Sequence, residues 1–349
     1  MSLRGSLLWG NLCLACLSAF AADPAKEIAS FSPIRSIHPE ELLGGAILSE
    51  RGSTMNFDRG LSVQTCYSVR APADQTAKLL ASWNPVSHSE LQIYSSYLFG
   101  NKEDPKFEEL KLDPSLNPVG RLLEQTRKTV RGDSTLQLNA RDISRLRKIA
   151  NQQAAQNLSS EDPNFCKLAK QFLASTLKER YELFLKGGIA SLPPYEVEKS
   201  EIQVGAEVLT LIGQEPRIAR RFKDTLSDTL FRPAGSPPAE PAACYWQLFK
   251  SERIASLCLG AIYERKVGDR WQVIDCQMYV TNSYLTIISL YELWPFEAAG
   301  RPCTLVWRGD FVSSPSYASL RGVEKMAAGV LMIKSVKTSI QCFQEDAKQ

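Results

Sequence analysis

The chain has 349 residues, of which 44% are hydrophobic and 23% charged, and a formal net charge of +3. That composition is ordinary for a globular protein, with length for one or two domains around a sizeable core. So small a charge argues against nucleic acid as a partner, and no apolar run beyond the N-terminus reaches the roughly 20 residues of a bilayer span.

Taken in chain order, the N-terminus is the first signal. Arg4 precedes an apolar run from Leu7 to Phe20, broken by Gly10, Asn11 and Ser18, that ends in the small-x-small triplet Ala19-Phe20-Ala21. This is the pattern of a cleavable export signal at 1–21, with the cut expected before Ala22. The expectation is an exported bacterial protein, periplasmic or secreted, with no membrane span after signal cleavage. Cleavage takes Cys13 and Cys16 from the nine cysteines and leaves an odd seven, where disulfides are permitted. No CxxC remains in those seven, which argues against a zinc knuckle or a thioredoxin-like pair.

Residues 22–58 read as an N-terminal extension, loose as far as residue 37, with one helical turn at His38-Pro39-Glu40-Glu41-Leu42-Leu43 stopped by Gly44-Gly45. Leu61, Val63, Thr65, Tyr67 and Val69 then alternate as a half-buried strand does. Pro72 opens a helix whose Ala73, Ala77, Leu80 and Ala81 fall at helical spacing, and Asn84-Pro85 ends it. A second strand is expected over 91–99, with Leu91, Ile93, Ser95 and Tyr97 on one face. Residues 113–231 change to a period of 3.6, with stripes such as Ile143/Leu146/Ala150 and Phe165/Leu168/Phe172, and read as an all-helical insertion. Residues 232–243 are a Pro-rich linker.

After the linker the spacing returns to strands: 245–249, 254–264, 271–281, 284–294 and 303–312, joined by short turns such as Gly268-Asp269. Short turns imply an antiparallel meander. A two-residue loop at Gly268-Asp269 would set Cys276 opposite Ala261 and Cys258 opposite Tyr279; a disulfide between Cys258 and Cys276 would need a shifted register. Residues 317–343 read as one long helix, with Leu320, Val323, Ala327, Val330, Leu331 and Ile340 tracking one side. The fold class is therefore α+β: an antiparallel sheet with a long C-terminal helix packed on it, plus a mainly helical central block. Residues 59–112 together with 244–345 form the sheet domain.

The strand that leads through "RAPADQTAKLLASW" into a helix, and "CTLVWRGDF" before a long closing helix, are similar to the START/Bet v 1-type helix-grip superfamily. The resemblance covers 60–99 and 244–343, with the helical block as an insertion. It implies a curved antiparallel sheet that wraps the C-terminal helix and encloses an apolar cavity. On that architecture the ligand-binding residues expected are Tyr279, Trp294 and Trp307 on the aromatic-rich sheet, Arg308 as a clamp for an anionic head group, and Ala328 in the small-residue run Ala327-Ala328-Gly329.

Catalytic signals are sparse. The chain has two histidines, His38 and His88, and no HxxxH, GxSxG, P-loop or GxGxxG spacing. No catalytic residue, metal ligand or cofactor is assigned. Asp275 and Glu292 fall in expected strands, where a carboxylate is either on a wet face, paired with Arg, or one of a buried acid pair. Three functions fit. The first is a non-catalytic exported protein that holds a lipid or other small apolar molecule between sheet and C-terminal helix. The second is an envelope structural or interaction protein whose helical block meets a protein partner. The third is a hydrolase of unknown substrate using His88 or a buried carboxylate.

Overall fold

The computed structural model describes residues 23–100, 102–197, 200–233, 236–237 and 239–348. The expected export signal and cleavage point lie outside these residues.

The protein is α+β. Helix α1 (Pro24–Phe31) and the single turn α2 (Pro39–Leu42) lead into β1 (Leu48–Arg51) and β2 (Gly60–Val69). Helix α3 (Ala73–Ser82) and two short 3-10 turns connect β2 to β3 (Ile93–Phe99). The central block is α4 (Asn117–Arg131), α5 (Ala140–Gln152), α6 (Pro163–Gly187), a small hairpin of β4 (Tyr195–Val197) and β5 (Ser200–Ile202), then α7 (Val204–Gly213), α8 (Pro216–Arg221) and α9 (Lys223–Asp228). The meander follows as β6 (Ala243–Ser251), β7 (Ile254–Val267), β8 (Arg270–Val280), β9 (Thr286–Ala298) and β10 (Arg301–Ser313), and α10 (Gly322–Asp346) closes the chain. Eight strands make one antiparallel sheet in the order β1-β2-β10-β9-β8-β7-β6-β3.

The sheet is covered on both faces, and the two-residue period of each strand divides its side chains between them. On β10, Val306 and Val312 join the core under α3 and α10, whereas Leu305, Trp307 and Phe311 join the core under the helical block. That second core runs unbroken from α1 and the central helices to the sheet. Helix α3 buries Ala73, Thr76, Ala77 and Ala81, small residues that let it lie close to the strands.

Four local readings are corrected. Residues 24–31 form a helix: Asp23 caps it, Pro24 opens it, and Ile28 and Phe31 are buried. The central block holds the β4–β5 hairpin as well as helices. Along α10 the buried residues are Gly329, Val336, Ile340, Cys342, Phe343 and Gln344, so Val323, Val330 and Leu331 lie on the exposed side. In β3 the register shifts between Ile93 and Ser95, which sends Ile93 to one face and Tyr97 to the other.

The Gly268-Asp269 turn has two residues, with Val267 paired to Arg270 and Ala261 to Cys276. A bulge beyond Gly260 then pairs Cys258 with Val280. Cys258 and Cys276 belong to cores on opposite faces of the sheet and cannot bridge. All seven cysteines from Cys66 to Cys342 are free.

Candidate functional site

Between the sheet and the α3/α10 layer lies a cavity of about 340 Å³. That is within the range of small-molecule sites. Its walls are apolar: Leu80 and Trp83 at the end of α3, Leu98 and Phe249 on β3 and β6, and Met332 and Val336 on α10. Its floor is the sheet, where alternation on the three central strands aims Asp275 and Gln277, Ser289 and Tyr291, and Arg308 and Asp310 at the same space.

The floor is an organised polar patch. Arg308 Nε donates to both Asp310 oxygens at 2.9 Å, and its Nη2 donates to Asp310 Oδ1 at 2.7 Å. Ser289 Oγ donates to the same oxygen at 2.6 Å. The guanidinium also lies 5.1 Å from the Tyr291 ring centre, so Arg308 has a carboxylate partner and an aromatic one. Two strands away, Tyr245 donates its hydroxyl to Asp275 Oδ1 at 2.8 Å. Gly260 makes this reach possible, because a Cβ there would sit 2.3–2.5 Å from the Tyr245 ring and hydroxyl. The phenol crosses β7 over a residue with no side chain.

Among the described residues nothing hydrogen-bonds Asp275 Oδ2, which leaves that oxygen to the cavity. Burial pushes the Asp275 carboxyl up to about 6, against the Tyr245 hydrogen bond and the Arg308 charge, which both lower it. Tyr245 is itself held well above its ordinary value, first by burial and then by the neighbouring Asp275 charge, so it stays a donor. A ligand therefore meets apolar walls and, in one place, a free carboxylate oxygen beside a neutralised Arg–Asp pair.

Of the five ligand residues expected from sequence, Arg308 lines the cavity. Trp307 is the next residue on the strand and faces the other way; it packs edge-on to Phe31 at 5.0 Å and donates Nε1–H to Gln64. Trp294 faces that side too, with the Arg221 guanidinium 5.9 Å from its ring. Tyr279 packs there against Tyr195 and under Arg180, which is 4.4 Å from its ring centre. Ala328 is half-buried outside the cavity lining, and its neighbour Gly329 sits against β1 and β2: a Cβ on it would lie 2.9 Å from Arg51 Cδ. The small-residue run thus serves close helix-on-sheet packing. The sheet's aromatics serve two faces, and composition does not separate them.

Asp275 was singled out in the sequence as a carboxylate in an expected strand, though not as a ligand residue; the residues missed were Tyr245, Ser289, Tyr291 and Asp310. A signal was present in the i, i+2 pair Arg308/Asp310, whose members must share a face. Asp275 and Glu292 do not form an acid pair, since the sheet stands between them. Glu292 is instead fully buried between Arg221 Nε at 2.8 Å and Arg270 Nε at 3.0 Å. His88, the histidine of the hydrolase reading, lies outside the cavity lining, where its Nε2 meets Asp346 Oδ2 at the end of α10.

No protein-family model and no curated protein sequence matches this chain. No helix among the described residues is long and apolar enough to cross a membrane.

Proposed function

We propose that this is an exported, non-catalytic protein that holds a lipid or similar small molecule, mainly apolar with one hydrogen-bonding group, between its sheet and α10. The observation that carries the reading is the cavity itself, apolar on its walls and polar at Asp275, Arg308 and Asp310 on its floor. The hydrocarbon part of a ligand would lie against Leu98, Phe249, Met332 and Val336. Its polar group would bond Asp275 Oδ2, which no described side chain hydrogen-bonds. In the sheet β2 lies beside β10 and β3 at the far edge, and α10 packs on β1 and β2, so the closing helix roofs the strands that line the cavity.

The alternative, an envelope interaction protein working through its helical block, calls for an exposed apolar patch on 113–231. Among the described residues, that stretch exposes Leu116 and Leu209 alone of its large apolar side chains, while α10 exposes Val323, Met326, Val330 and Leu331. The cavity reading is therefore preferred.

The test is titration with a fluorescent long-chain alcohol, whose hydroxyl can donate to Asp275 Oδ2. Saturable one-to-one binding is expected, and Ser339→Trp, which places an indole in the cavity from α10, should weaken it at least tenfold with the circular dichroism spectrum unchanged. Equal affinity in the folded variant would sink the proposal.

A further inference from the structure

A second constellation lies at the C-terminal end of α10, outside the cavity lining. The 3-10 turns Pro85–Ser87 and Ser89–Leu91 carry His88 and Glu90 up to Cys342 on the last turns of the helix. One donor atom from each of His88, Glu90 and Cys342 lies within 4.8 Å of the others. Cys342 Sγ is 3.3 Å from Glu90 Oε1, and His88 Nδ1 is 3.9 Å from the same oxygen. Bonds of about 2.0–2.3 Å from a tetrahedral ion place neighbouring ligand atoms about 3.3–3.8 Å apart, so these two separations are close to those of a formed site.

The imidazole is oriented from behind. His88 Nε2 lies 2.9 Å from Asp346 Oδ2, and the same oxygen accepts Trp83 Nε1–H at 2.8 Å. An ionised carboxylate only accepts, so Nε2 carries a ring hydrogen, and in the neutral imidazole that a metal ion binds Nδ1 keeps its lone pair. At 3.9 Å the Nδ1–Glu90 separation is too long for a hydrogen bond, so that lone pair faces the cluster unused. A carboxylate behind the imidazole is how metal-binding histidines are commonly fixed in one tautomer. The Cys342 residue is buried while Glu90 is exposed, which gives an ion a way in from solvent.

We infer that His88, Glu90 and Cys342 form a binding site for a zinc-class divalent transition ion, with solvent as the fourth ligand. A sulfur, a nitrogen and an oxygen donor suit zinc; magnesium and calcium prefer all-oxygen shells. On binding, the Cys342 thiol gives its proton to solvent and the sulfur bonds the ion as thiolate. The ion ties residues 85–91 to α10. Pro85 and Leu91 on one side of that tie, and Val336 and Ser339 on the other, line the cavity, so the ion would clamp one of its edges. The inference stands on the cluster's own geometry and does not depend on what the cavity holds.

Cobalt(II) is the probe, added to the chelator-treated full mature protein. One equivalent should bind with a thiolate-to-metal band in the near ultraviolet and the strong visible bands of a four-coordinate ion, and zinc should displace it. Cys342→Ser should abolish the near-ultraviolet band. Asp346→Asn should weaken binding about 10- to 100-fold by loosening His88. Glu90→Gln alters an exposed side chain, so it keeps the fold and should weaken binding at least tenfold. Cobalt binding with no thiolate band, or unchanged affinity in folded Glu90→Gln, would overturn the inference.

Discussion

Asp275 is the residue on which the cavity's chemistry turns. Its carboxyl titrates near 6 in the folded protein, against an ordinary value of 3.8, because burial penalises the charge. The sign follows from linkage: a carboxyl raised on folding contributes stability that is present in acid and lost as pH rises from about 4 through about 6. A two-unit shift amounts to about 3 kcal/mol. Asp275→Asn removes this titration. Its stability relative to the parent should therefore rise by about 2–3 kcal/mol between about pH 4 and pH 7, measured by denaturant unfolding at several pH values. Parallel pH profiles for the two proteins would show that Asp275 does not carry the shift. This residue was visible in the sequence only as a carboxylate in an expected strand. Its partner Tyr245 is thirty residues away and reaches it across Gly260, a relation that no local pattern encodes.

At the scale of elements, the sheet joins its two layers by different means. The α3 and α10 side leaves the cavity. The helical side is pinned by ions: Glu27 of α1, Arg221 of α8, Arg270 of β8 and Glu292 of β9 form one network. Glu292 has no exposure and faces both guanidinium groups, so removing it leaves two part-buried cations short of a partner. Glu292→Ala should cost about 3 kcal/mol or more. Hydrogen exchange should show α1 and α8 losing protection before the central strands; uniform loss, or a cost below 1 kcal/mol, would count against the network as the tie. The strands of the meander were legible because short turns such as Gly268-Asp269 mark them out. Helix α1 was not, because eight residues carry only two buried side chains, Ile28 and Phe31, and the aromatic partner of Phe31, Trp307, lies at the other end of the chain. The same distance hid the face of Trp307. Strand alternation sets Trp307 opposite Arg308, but only the long-range fold decides which side holds the cavity.

At the scale of the molecule, one chain builds a sheet with two unlike faces. The insertion between β3 and β6 supplies the helices that fill one face, and the segments on either side of it, α3 and α10, roof the other. The α+β class and the closing helix could be read from periodicity and turn residues. The cavity's lining could not, because it is assembled from six strands and two helices whose registers depend on a bulge in β7–β8 and another in β3. A cavity of about 340 Å³ with a fixed polar floor is the feature that a merely structural protein would have no need to keep. Native mass spectrometry of the protein purified gently from its own source tests this most directly, with denaturing spectra alongside. The account predicts an adduct of lipid-like mass, one per chain, that is lost on denaturation and absent in Ser339→Trp. A bare protein mass that gains no adduct when fatty acids and phospholipids are added would contradict it.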